Sequence, residues 1–377
     1  MTAVTIALES PQPDSADEAV LDINEREETF PQAHEITYFG TDFDVHGLVR
    51  RLNQGDIVVP SFDPSEMPGV DLAGFQRGFV WQKYQMDRFI ESLLLGYPVP
   101  GIFLVQQSDR KLLVLDGQQR LKTLQAYYKG RIGKEAVFKL ESVSDYLKDL
   151  AYEDLDSEQR RVLDDTFIHA TIVKYDSAAG GDEAVYQVFE RLNAGGTNLY
   201  PHEIRVALYH GELVSFIRDL NQTDHWRHLY GSPSPRLKDQ ELILRFISLF
   251  LNFSSYKRPL KGFLNAFLKD HQNMQGLNKT QLKHIFEETC SAIHEGLGKN
   301  AFRPKAQINA ALVDSLMCGI AHRLSNRPFA SLNELKPAYD QLISNDEFIS
   351  SIARATADED RVQKRLALAK AAFLELA

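Results

Sequence analysis

The sequence predicts an α+β fold, an α/β head followed by an all-α helical rear, on three observations. Short apolar runs alternate with amphipathic helical spacing from near Asp44 to Leu192. Beyond Pro201 the apolar residues recur almost wholly at helical spacing. Between the two patterns of the head, the apolar run Leu112 to Leu115 ends abruptly in the turn Asp116-Gly117 and opens at once into an amphipathic helix.

The elements follow in order. Residues 1–36 lack sustained periodicity and contain Pro11, Pro13 and Pro31, so a largely disordered arm is expected, with structure beginning near Asp44. Val45 to Gln54 reads as a short helix closed by Gly55, and Ile57 to Pro60 as a strand. Ser61 to Gly74, with Pro64, Pro68 and Gly69, reads as an inserted loop. From Gln82 to Leu95 the residues Met86, Phe89, Ile90, Leu93 and Leu94 mark a helix that Gly96 ends. Ile102 to Val105 and Leu112 to Leu115 flank the polar turn Ser108-Asp109-Arg110 and predict an antiparallel hairpin. The helix Gln118 to Tyr128 carries Leu121, Leu124 and Tyr128 on one stripe; a strand over Thr166 to Tyr175 and a helix over Asp182 to Leu192 complete the head.

The rear shows apolar stripes in Glu203 to Tyr209, Gln240 to Phe250, Gly262 to Leu268, Thr280 to Ile293, Ala306 to Leu324 and Arg361 to Leu376. Gly231-Ser232-Pro233-Ser234-Pro235 is the best internal hinge or loop signal. The expected division is an acidic arm over 1–36, a nucleotide-handling head over 37–212 and a helical domain over 213–377.

Length and composition set the class. A chain of 377 residues with 44% hydrophobic content buries a substantial core. No apolar run approaches the ~20 residues that span a bilayer, and the N-terminus is acidic where a signal peptide is basic, so a cytoplasmic protein without membrane association is expected. Cys290 and Cys318 make neither a disulfide framework nor a zinc cluster. The net charge is −10, but residues 1–36 hold nine carboxylates against Arg26 alone, which leaves the body at −2. Local basic faces for nucleic acid are therefore allowed.

The chemistry converges on Asp116-Gly117-Gln118-Gln119-Arg120. Unpaired amides and the dipole at a helix start favour a phosphate on Gly117 and its successors. Gln118 and Gln119 add amides, Arg120 a forked cation and Asp116 a carboxylate that holds Mg²⁺ directly or through water. Thr123, one turn beyond Gln119, extends the donor row. The alternative is a plain Asp-Gly turn in which Asp116 caps the helix and Arg120 is solvated. Downstream, Asn193-Ala194-Gly195-Gly196-Thr197 supplies flexible backbone for a second lobe around the ligand, although a helix stop explains it equally well. Upstream, Phe75-Gln76-Arg77 brings a ring, an amide and a guanidinium together for stacking and for phosphate or base-edge contacts, while Phe79 and Trp81 read as core. Gly130 to Lys134 lacks Walker A spacing, and His225 and His228 lack an evident third metal ligand. Arg236, Lys238, Lys257, Arg258 and Lys261 are candidates for a phosphate track.

These three motifs, in this order, resemble the N-terminal domain of GmrSD-type restriction endonucleases, a ParB-like fold, from roughly Asp44 to His210. The resemblance implies a prokaryotic defence protein that binds and hydrolyses a nucleoside triphosphate with Mg²⁺. It assigns Asp116, Gln118, Gln119 and Arg120 to catalysis, with Gly117, Thr123, Arg77, Asn193, Gly195, Gly196 and Thr197 around the nucleotide. Sensing of DNA, including modified DNA, falls to Phe75, Gln76 and Arg77; relatives often have tyrosine where Phe75 stands. Many members carry a C-terminal HNH nuclease, and no His-Asn-His arrangement is evident in the rear, so a separately encoded nuclease partner is expected, with homo-oligomers allowed. A non-catalytic nucleotide-gated DNA switch, or a helical interaction scaffold with a vestigial site, are the competing readings.

Overall fold

The computed structural model describes residues 20–21, 36–59, 81–107, 109–132, 136–175, 181–192 and 200–376. The chain divides into two compact units, residues 30–208 and residues 1–29 with 209–377.

In chain order the elements up to the end of the first unit are β1 (Val20–Leu21), β2 (Ile36–Asp44), α1 (Val45–Gln54), β3 (Ile57–Val58), α2 (Lys83–Leu94), β4 (Ile102–Gln106), β5 (Leu112–Asp116), α3 (Gln118–Tyr128), β6 (Arg131–Ile132), β7 (Ala136–Val137), α4 (Ser157–Asp165), β8 (Phe167–Tyr175), α5 (Gly181–Leu192) and α6 (Pro201–Leu208). Five strands form a mixed sheet in the order β2-β8-β4-β5-β3. The outer pair β2–β8 and the hairpin β4–β5 are antiparallel; β4–β8 and β3–β5 are parallel.

Alternation along the strands feeds two cores. Leu104, Val114, Ile168, Ala170 and Ile172 pack with Leu48, Ile90, Leu93, Leu121 and Leu124 of α1, α2 and α3. On the opposite face Val105, Leu113, Leu115 and Val173 meet Val185, Tyr186 and Phe189 of α5 and Ile204 of α6. Each fully buried aliphatic side chain contributes ~1.5–3 kcal/mol over its exposed state, which fixes the strand faces and hence the register.

The predicted helices and strands of the head are present, including the hairpin, but structure begins earlier than Asp44. Residues Ile36–Asp44 form the long edge strand β2, whose side chains are mostly exposed on both faces. With little burial to select apolar residues, no alternation marked it. Val20–Leu21, inside the expected disordered arm, pairs in parallel with Ile308–Asn309; the rest of that arm, and the insert over 61–74, lie outside the described residues.

The second unit is helical apart from β1 and β9 (Ile308–Asn309). Its helices are α7 (Glu212–Leu220), α8 (Asp224–Tyr230), α9 (Lys238–Asn252), α10 (Leu260–Asp270), α11 (Lys279–Leu297), α12 (Ala310–Asn326), α13 (Leu335–Leu342), α14 (Asp346–Ala353) and α15 (Glu359–Leu374). Helix α12 is buried almost all round, and its Asp314 receives Arg245 Nη2 of α9 at 2.7 Å and Arg365 Nη2 of α15 at 3.0 Å. The Gly231 to Pro235 stretch is a loop within this unit, pinned where Ser234 N donates to Asp239. No helix among the described residues is long and apolar enough to cross a membrane.

Candidate functional site

The end of β5 is where strand geometry gives way to helix. Pairing with β4 shifts register between Phe103 and Leu104, so Asp116 faces Phe103 while Val114 faces Leu104. An irregularity of this kind re-aims the chain as it leaves the sheet. Gly117 then adopts φ 96°, in the left-handed region, and a Cβ there would lie 2.5 Å from Ile102 Cγ2. Only glycine meets both conditions without strain. Having no side chain, it caps nothing, and the first-turn amides of α3 begin directly at the turn.

Asp116 does not cap the helix and Arg120 is not solvated, which overturns the plain-turn alternative. Arg120 is buried, donating from Nη2 to Asp116 Oδ2 at 2.7 Å and from Nη1 to the Pro100 carbonyl. Its guanidinium therefore ties the β5–α3 turn to the start of β4. The Asp116 side chain remains 44% exposed, with Oδ1 unpartnered among the described residues. One outward carboxylate oxygen beside a helix start suits Mg²⁺, which binds through one or two carboxylates and completes its shell with phosphate and water. Gln119 Oε1 accepts from the Trp81 amide at 3.3 Å, linking the start of α3 to the residue just before α2. Trp81 packs edge-on against Phe89 at 5.5 Å and belongs to the core, as its sequence context predicts.

Thr123 departs from the expected donor row. It is fully buried, and its hydroxyl donates to the Gln119 carbonyl at 2.7 Å, so the donor is spent inside α3. The helix stripe also differs: Tyr127 is fully buried, whereas Tyr128 is partly buried and donates to Asp164 Oδ1 at 2.5 Å. Tyr152 stacks on Tyr128 at 4.1 Å and donates to the same carboxylate; burial, then the Asp164 charge, pushes its phenol up to about 12. These contacts fasten the far end of α3. Close to that same end, buried Asp87 of α2 accepts from the amides of Glu141 and Ser142 and pairs with Lys83, whose ammonium lies over the Phe138 ring that packs on Tyr127.

Phe75, Gln76, Arg77, Asn193, Gly195, Gly196 and Thr197 lie outside the described residues. Farther along the chain, Glu203 Oε2 accepts from Tyr200 N at 2.7 Å, closing the start of α6. His202 beside it is buried with neither ring nitrogen hydrogen-bonded.

Sequence reading missed a pair at the same end of the sheet. His169 Nδ1 of β8 lies 2.8 Å from Asp42 Oδ1 of β2, and both side chains are largely exposed. They are 127 positions apart, and only the strand pairing brings them together. A third histidine also joins His225 and His228: His294 Nδ1 lies 3.3 Å from His225 Nδ1, and its ring stacks on His228 at 4.9 Å. Desolvation and the neighbouring histidines hold His294 below its ordinary range. Among the described residues no group of three metal-ligating side chains is placed to hold an ion.

Residues 52–210 match the GmrSD restriction endonuclease, N-terminal domain family. No curated protein and no solved structure matches the chain.

Proposed function

We propose that the chain, whose residues 52–210 match a GmrSD restriction endonuclease N-terminal domain, serves in restriction-type defence by binding and hydrolysing a nucleoside triphosphate at the Gly117 turn. The observation that carries this reading is the buried Arg120 locked to Asp116 at the start of α3. The pairing offsets the several kcal/mol that burying the charge would otherwise cost and holds a guanidinium at a fixed place beside the first-turn amides of α3.

The division of labour follows from position. The α3 amides and dipole receive phosphate oxygens, and Arg120 adds positive charge whose place is fixed before ligand arrives, so little reorganisation is needed as charge develops. Gln118 and Gln119 supply amide groups for phosphate or water. Asp116, oriented through Oδ2 by Arg120, holds Mg²⁺ from its exposed oxygen; when bound, the ion neutralises charge on the phosphates. Nucleotide state would be coupled to DNA through Phe75, Gln76 and Arg77, and to cleavage through a separate HNH-type nuclease or other defence subunit.

The test is Asp116→Ala in the full chain, with nucleotide affinity measured by calorimetry and turnover by phosphate release in Mg²⁺. Turnover should fall at least tenfold; because the substitution also leaves the buried Arg120 without its carboxylate, the unfolding midpoint should drop, and Asp116→Asn, which keeps an oxygen for Arg120, should lose turnover with a smaller drop. Wild-type binding without phosphate release would instead favour a nucleotide-gated switch. Unchanged binding and turnover in the variant would refute the assignment.

A further inference from the structure

We propose that His169, oriented by Asp42, is the general base of this site; the inference rests on the nucleotide-hydrolase reading above. In the mixed sheet, the ends of β2 and β5 and the starts of β4 and β8 fall at one edge: Asp42 pairs with His169, Ala170 with Ile102, and Phe103 with Asp116. His169 thus stands two strands from the Asp116-Gly117 turn, about 10 Å away at the ordinary strand spacing, a distance that a triphosphate chain bridges.

Glycines line the way between them. A Cβ at Gly101, just before β4, would lie 2.8 Å from the His169 carbonyl oxygen, and one at Gly117 would strike Ile102. Pro100, next to Gly101, is the residue whose carbonyl Arg120 holds. The guanidinium and the His169 backbone therefore lie against neighbouring residues at the start of β4. Gly40 borders the same place: a Cβ there would come within 2.8 Å of His169 Cε1, so the imidazole lies over Gly40 and would have to shift for a larger residue.

Direction matters as well. Ile168 and Ala170 enter the core beneath α1, α2 and α3, so His169 projects from the face opposite α3, the face of Phe103, and meets the turn at the sheet's edge, where Asp116 pairs with Phe103. Its exposure, with Asp42 equally exposed, means that the pair contributes little to stability. What the pair favours is a tautomer: Asp42 Oδ1 accepts a hydrogen bond from Nδ1–H, which leaves Nε2 as an acceptor. Water then attacks the terminal phosphorus of the nucleoside triphosphate, its proton passes to Nε2, the bridging P–O bond breaks, and the nucleoside diphosphate and phosphate leave. The imidazolium returns its proton to solvent.

The experiment compares wild type with His169→Ala in the full chain, using the ribonucleoside triphosphate that wild type turns over fastest. Affinity, turnover and turnover with added imidazole are measured. Turnover should fall at least tenfold, affinity should stay within twofold, and free imidazole should restore activity in the variant while leaving wild type unaffected. Asp42→Asn should lose less and resist rescue. Wild-type turnover in His169→Ala would overturn the base assignment and leave the hydrolase reading standing, as would a loss with weakened affinity and no rescue. No phosphate release by wild type from any ribonucleotide would overturn both.

Discussion

At Gly117 a single hydrogen atom decides whether the turn can form, since both its positive φ and the Ile102 side chain exclude a Cβ. Gly117→Ala should cost ~1–3 kcal/mol in urea unfolding and should abolish nucleotide binding by displacing the α3 amides. Wild-type stability in that variant would mean that the turn relaxes freely. The Asp116–Arg120 contact was not read from the sequence, although the two stand four apart at a helix start, where such spacing permits pairing. Thr123 shows the limit of the same logic: its spacing is right, yet its hydroxyl turns back onto Gln119 O. His169 and Asp42 left no local trace, being joined only by the β2–β8 register.

Among elements, helices and buried strands were readable because burial imposes a period, whereas the exposed edge strand β2 carried none. Helix α6 holds a pH-dependent weakness of its own. Desolvation first, then the Arg205 charge, lowers the buried His202 well below its ordinary 6.5. The unfolded chain then binds the proton more tightly than the folded one, so stability is undiminished above about pH 6.5 and declines as pH falls below it. Wild type should lose more stability than His202→Leu between pH 7 and pH 5 in denaturant titrations; parallel curves would remove the histidine as the cause. In the helical unit, α9, α12 and α15 meet at Asp314, flanked by buried Arg245 and Arg365. Asp314→Ala leaves two buried guanidinium groups without their carboxylate and should destabilise that unit by ~3–5 kcal/mol. An unfolding midpoint equal to wild type would show the arginines finding other partners.

For the whole molecule, the change from mixed periodicity to helical spacing foretold an α/β region followed by a helical one, with the units dividing between Leu208 and Tyr209. The Gly231 to Pro235 loop did not mark that division, because turn residues announce a bend and not which contacts cross it. Charge is uneven: residues 1–36 carry −8 of the net −10, and among the proposed phosphate contacts Arg258 already pairs with Asp358 at 2.8 Å. If DNA binds through phosphates, log affinity should fall steeply and linearly with log salt; a midpoint independent of salt would exclude that mode. The most direct measurement is phosphate release from each of the four ribonucleoside triphosphates with Mg²⁺, with and without DNA, in wild type and Arg120→Ala. Nucleotide hydrolysis at the Gly117 turn predicts release by wild type that is lost in the variant. No release by wild type, or equal release by both, would contradict it.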